Sequence, residues 1–170
     1  MLKKLYDKDP IWFAVGWIVV YVVGFANADA LSEGLGIPKL LTVVLGAALS
    51  AVLLGFAVKN GLAKHLGLCA FRGNYRRFLW FVPLAVISGV NFWNGVTVNA
   101  SPLETVLYIA SMCLVGFLEE VIFRGLLFRG LYGKSRWGAY IISALCFCLP
   151  HVSVYIGSYE LPLLAMCFVQ

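Results

Sequence analysis

The stretch Leu114–Leu131, LVGFLEEVIFRGLLFRGL, places two adjacent carboxylates, Glu119 and Glu120, inside an apolar run, with Arg124 four residues after the second. Ionisable side chains in such a run are costly, so they mark a functional site and call for named partners. Residues four apart share one face of a helix, so Glu120 and Arg124 are expected to pair along it. Glu119 lies about 100° round the axis and has no opposite charge near it in sequence. Glu120 and Arg124 therefore read as a buried structural pair, and breaking one side of such a pair costs roughly 3–5 kcal/mol. Glu119 is the acid left for chemistry.

Composition sets the class. Hydrophobic residues make up 62% of the 170 positions and charged residues 12%, and the mean hydropathy is +0.91. Apolar runs of roughly 20 residues between short polar stretches read as transmembrane helices. The chain is long enough for one helical bundle, so residues 1–170 are expected to form a single transmembrane domain with the core motifs within 103–156. The formal net charge is +5, which could suggest a nucleic-acid partner. The charges sit in blocks at the ends of apolar runs, however, where they set topology; the expected partners are the lipid bilayer and a substrate within it, not nucleic acid. Of the five cysteines, Cys113, Cys146, Cys148 and Cys167 lie in apolar runs, with no C-x-x-C spacing. They read as packing residues.

Working outward from the acidic pair, the run that carries it begins near Leu103 and stops at Gly133-Lys134-Ser135-Arg136. Upstream lie apolar runs at Ile11–Ala28, Leu40–Val58 and Phe78–Val98. Ala28-Asp29-Ala30 resembles a signal-peptidase site, but the length of the first run and the membrane helices after it favour a retained helix. In the second run Gly46, Ser50, Ala51 and Gly55 offer small residues for close helix packing. Downstream, Trp137–Ile156 forms a fifth run, expected to be interrupted at Pro150-His151. Leu161–Val169 begins a sixth, and its ten or so residues would rise only about 15 Å, half a hydrocarbon core. The expected fold is an all-α polytopic bundle of five transmembrane helices and a truncated sixth, with the sequence C-terminally incomplete.

Charge asymmetry gives an orientation. With a cytoplasmic N-terminus, the inner segments 1–10, 59–77 and 124–136 hold twelve of the thirteen Lys and Arg residues, and only Lys39 falls outside. The outer turns hold Asp29, Glu33, Glu104 and Glu160. This pattern obeys the positive-inside rule.

The last two complete runs read as an antiparallel hairpin centred between Lys134 and Ser135. Glu119 and His151 then lie about 16 residues either side of the centre, at nearly equal depth. A lone histidine is more often a satisfied core residue. One level with an unpaired Glu on the adjoining helix is a better candidate for a shared site.

At these residues the sequence resembles a known family. Glu119-Glu120-x-x-x-Arg124, followed by Gly125-Leu126-Leu127, resembles the E-E-x-x-x-R motif of the CAAX prenyl protease and bacteriocin-processing (CPBP, or Abi) intramembrane proteases. Phe147-x-x-x-His151 resembles that family's second motif, F-x-x-x-H. The resemblance covers roughly a third of the chain; the first three runs share only hydrophobicity with it. It implies hydrolysis of a peptide bond in a membrane-associated or prenylated protein. Glu119 would be the general base, His151 would help to hold the attacking water, and Glu120, Arg124 and Phe147 would support the site. A carboxylate in a low-dielectric cavity is a stronger base, which suits that role.

Members are described both as metal-dependent and as metal-free, so Glu119 and His151 are also possible ligands of a zinc ion. One Glu and one His do not complete a three-ligand catalytic zinc site. The family's third motif, a His followed four residues later by Asn, is expected beyond Gln170, since the one other histidine, His65, lies in a basic interfacial stretch. As it stands the chain carries two parts of a three-part site, and it is expected to be inactive as a protease unless the missing portion is present. The short length resembles bacterial members linked to bacteriocin maturation and immunity, which implies a bacterial plasma membrane. Two rivals are a catalytically inactive binding or immunity protein of the same fold and a small transporter component, because intramembrane Glu and Arg also line ion routes.

Overall fold

The computed structural model describes residues 2–70, 73–88 and 100–155, with the side chains of Trp80, Leu84, Ile87, Ser88 and 150–155 left aside. Among these residues every regular element is helical. The helices are α1 (Leu2–Lys8), α2 (Pro10–Gly34), α3 (Leu40–Lys59), α4 (Val82–Ser88), α5 (Pro102–Tyr132) and α6 (Arg136–Tyr155), with a 3-10 turn over Tyr75–Phe81 before α4. Three of them, α2, α3 and α5, are long and apolar enough to cross a membrane. The chain is an integral membrane protein.

Helix ends follow local chemistry. Asp9 opens α2 by accepting hydrogen bonds from the backbone N–H groups of Ile11 and Trp12 at 2.9 and 3.2 Å, and Pro10 takes the first helical position, where a missing N–H costs nothing. α2 continues through Ala28-Asp29-Ala30 to Gly34, so the triplet that resembles a cleavage site lies within a continuous helix. Lys39, at φ +64°, turns the chain into α3. The same lysine pairs with Asp29 at 2.7 Å, and Thr42 Oγ1 donates to the other Asp29 oxygen. Lys39 Nζ also lies 5.6 Å from the centre of the Tyr108 ring on α5, tying the α2–α3 turn to that helix. At the start of α5, Ser101 and Glu104 form a reciprocal capping box, with Pro102 next to the cap.

The core gathers on one face of α2. Phe13, Trp17, Tyr21 and Phe25 recur every four residues and are buried. They meet Leu53 and Phe56 of α3 and the second half of α5. Phe13 and Phe56 rings lie 5.2 Å apart and Tyr21 and Phe25 rings 4.8 Å apart. Of the small residues in α3, Gly46 does allow close approach: a Cβ there would meet both Leu114 and Phe25 at 3.2 Å. Gly55 has nothing within 4 Å of that position, so it plays no such part.

Several expectations change. The 59–77 stretch is not uniformly polar, because Leu66 is a core residue and Leu62 and Leu68 pack against the same cluster. Of the cysteines, half-buried Cys146 packs against the core as expected, Cys148 is half-buried, and Cys113 and Cys69 are exposed. Pro150-His151 does not interrupt α6, whose backbone stays helical to Tyr155; an apolar helix tolerates the one lost N–H where neighbours re-satisfy the carbonyl. About half of the third run, residues 89–98, and the sixth run with Cys167 lie outside the described residues.

Candidate active site

α5 changes character at the acidic pair. Pro102–Glu119 is regular α-helix, Glu120–Phe128 is π-helix, and Arg129–Tyr132 returns to α. Nothing in the sequence reading anticipated this wider turn. π segments are rare and occur often at functional sites. Within this one Val121, Ile122, Phe123, Gly125, Leu126 and Leu127 are all buried, so the segment is enclosed on most sides by α2, α6 and the loop after α3. The loop comes so close that a Cβ on Gly125 would sit 3.1 Å from the Leu66 carbonyl oxygen. Glycine at 125 is what allows that approach.

Glu119, the last residue before the π segment, faces α2. Its Oε1 accepts a hydrogen bond of 2.8 Å from the hydroxyl of Tyr21. The sequence reading left Glu119 without a partner, and the structure supplies one from ninety-eight residues earlier in the chain. Among the described residues Oε2 has no hydrogen-bond partner, and it is not one of the buried polar atoms left unsatisfied, which number only Ser50 Oγ. Among the described residues, then, one oxygen of Glu119 is held and the other carries no hydrogen bond.

Glu120 and Arg124 do pair, with Oε1 and Nη1 3.1 Å apart. The pair is not buried as expected: the Glu120 side chain is 60% exposed and that of Arg124 79%. The reason lies in the π segment, whose inward face takes up almost every other residue and leaves these two on the outer strip. The pair lies on the outer face of the helix bundle rather than within it.

Phe147, the first residue of the second motif, packs edge-to-face on Phe123, with ring centres 5.5 Å apart and planes at 87°. Lower down the same pair of helices, Phe128 meets Tyr140 at 5.2 Å. These contacts establish the antiparallel hairpin of α5 and α6 around Lys134-Ser135. The backbone of His151 lies in α6; its side chain, and so the expected distance from Glu119 to its ring, falls outside the described residues. His65 is exposed in the loop after α3.

Among the described residues no three His, Cys, Asp or Glu side chains come together to hold a metal. The bonded neighbour of Glu119 is a tyrosine hydroxyl, which donates to the carboxylate and adds no ligand to it. His151, the other possible ligand, has its side chain outside the described residues.

Tyr21 is the residue the sequence reading missed, and the signal was present. Four aromatics at four-residue spacing mark one packed face of α2. A tyrosine within such a face must find an acceptor for its hydroxyl. Tyr21 stands about a dozen residues from the Pro10 end of α2, and Glu119 about as far from the Tyr132 end of α5. A Cβ on Gly130 would contact Pro10 and Ile11, which fixes that antiparallel register.

Residues 101–169 match the family described as type II CAAX prenyl endopeptidase Rce1-like. No curated protein and no solved structure matches the chain.

Proposed function

We infer, from the match of residues 101–169 to the Rce1-like family of type II CAAX prenyl endopeptidases, that this membrane protein hydrolyses a peptide bond near the C-terminus of a prenylated, membrane-associated protein. Glu119 is the general base and His151 helps to hold the water. As the water oxygen attacks the scissile carbonyl carbon, its proton passes to a Glu119 carboxylate oxygen. When the C–N bond breaks, that proton goes to the leaving amine nitrogen, and the carboxylate is regenerated.

The observation that carries this reading is the Phe123–Phe147 contact. Both rings stand about twelve residues from the α5–α6 turn. Glu119 and residue 151 lie four residues further along their helices, one turn on, so the same register brings them level. The helix of the second motif thereby lies against the helix of the first. Among the described residues Glu119 also has an oxygen that carries no hydrogen bond, as a base needs.

The charge pattern supports a bundle of five spanning helices with the N-terminus in the cytoplasm. Lys39, the one basic residue on the opposite side, is neutralised by Asp29. The preference for a bacterial plasma membrane and a bacteriocin-related role rests on the sequence resemblance alone.

The test uses the full-length protein, with any segment that follows Gln170, in liposomes with a quenched fluorogenic peptide ending in a farnesylated Cys-aliphatic-aliphatic-X sequence. Cleavage by the wild type and its loss in His151→Ala are expected. Cleavage that survives His151→Ala sinks the assignment.

A further inference from the structure

The family match begins at residue 101, yet the side chain bonded to Glu119 comes from α2. We propose that Tyr21 is a positioning residue for the base: its hydroxyl holds Oε1 of Glu119 so that Oε2 is presented to the attacking water. This rests on the reading of Glu119 as the base, and it places part of the active site in a helix outside the matched region.

The geometry suits the role. A glutamate carboxylate rotates freely about its last torsion, since that torsion has broad, roughly two-fold minima. A single well-placed donor removes the freedom, and a donor to a charged carboxylate makes one of the stronger hydrogen bonds. The donor here is itself rigid. Tyr21 is only 7% exposed, its ring lies 4.8 Å from that of Phe25, and it sits within the aromatic stripe that packs α2 on the bundle. Its hydroxyl is thus fixed relative to the α5 backbone at the point where α-helix gives way to π-helix. Oε1 is occupied by the bond at 2.8 Å, which leaves Oε2 as the one free to take a proton.

A purely structural role is the competing explanation: Tyr21 would only be satisfying its own hydroxyl in the core. The two differ in what Tyr21→Phe changes. The variant keeps the ring and its packing and removes the donor alone. A structural hydroxyl would show in the melting temperature, whereas a positioning hydroxyl shows in the turnover number.

In the full-length protein reconstituted with the farnesylated peptide, Tyr21→Phe should lower kcat by roughly ten- to a hundredfold, the worth of a hydrogen bond to a charged group. KM and the melting temperature should stay near wild type, and Tyr21→Phe should add no further loss to Glu119→Gln. A second readout needs no turnover. The infrared band of the Glu119 carboxylate, isolated as the difference between wild type and Glu119→Gln, should shift in Tyr21→Phe. An unchanged kcat with an unshifted band overturns the proposal. So does a raised kcat, which would make the hydroxyl a competitor of the water. If Glu119→Gln abolishes cleavage while Tyr21→Phe does not lower kcat, only the role of Tyr21 fails. If Glu119→Gln itself cleaves normally, the assignment of the base fails with it.

Discussion

Glu119 and Glu120 are neighbours in the chain and opposites in the fold. The first turns towards α2, is half-buried and takes a hydrogen bond from Tyr21. The second turns outward and meets Arg124 on the surface of its own helix. The boundary between them is also the boundary between α- and π-helix. In the π segment nearly every side chain is drawn inward, and the charged pair occupies the strip that remains. Two adjacent carboxylates are thus separated by a change of helical winding into one group facing the bundle and one facing away.

The sharpest way to break that comparison is to neutralise each acid in turn. Glu119→Gln should lower kcat/KM on the farnesylated peptide by about 10²- to 10⁴-fold, the usual contribution of a general base. Glu120→Gln should stay within a few-fold of wild type in the same assay. Equal losses would mean that the outward pair takes part in the chemistry.

The second test addresses the winding itself. Gly125→Ala puts a Cβ 3.1 Å from the Leu66 carbonyl oxygen, and backbone on both sides has to yield. Overpacking of this kind costs about 1–3 kcal/mol, read as a lower melting temperature in detergent. Gly116→Ala, in the regular part of the same helix, is the control. Nothing lies within 4 Å of its Cβ, so the better helix propensity of alanine should raise stability by up to about 1 kcal/mol. Similar changes in both variants would show that the π segment is no more tightly enclosed than the helix before it.

Much of this was legible in the chain. Apolar runs located α2, α3, α5 and α6 to within a few residues at most ends, because burying the backbone in lipid leaves helix as the one open option for such segments. The i, i+4 spacing found the Glu120–Arg124 pair, and the turn at Lys134-Ser135 found the α5–α6 hairpin that Phe123 and Phe147 now document. Depth was therefore readable, but direction around the axis was not. The pair was taken as buried because it lies in an apolar run, and hydrophobicity alone does not say which side of a helix faces the bundle and which faces outward. Nor does local spacing report a partner from another helix. Tyr21 becomes visible only when the aromatic stripe of α2 and the depth of Glu119 are considered together. Leu66 was missed because its neighbours Lys64, His65 and Gly67 give the stretch a polar look.

The smallest expected effect is also the one that best separates the two acids. Were the Glu120–Arg124 pair enclosed, Glu120→Gln would leave an uncompensated guanidinium and cost roughly 3–5 kcal/mol. With side chains 60% and 79% exposed, each group keeps access to its surroundings after its partner is lost. Arg124 has a long stem that can carry its charge outward along the helix surface. Exposed pairs are worth about 0–1 kcal/mol, so Glu120→Gln should shift the melting curve in detergent by no more than that. The double variant Glu120→Gln with Arg124→Gln should add little, since the two groups owe little to each other. Raising the salt should narrow even that difference, because exposed charges are screened and enclosed ones are not. A loss of several kcal/mol, insensitive to salt, would mean that the pair is covered in the membrane-embedded protein and that the outward strip of the π segment is an internal surface.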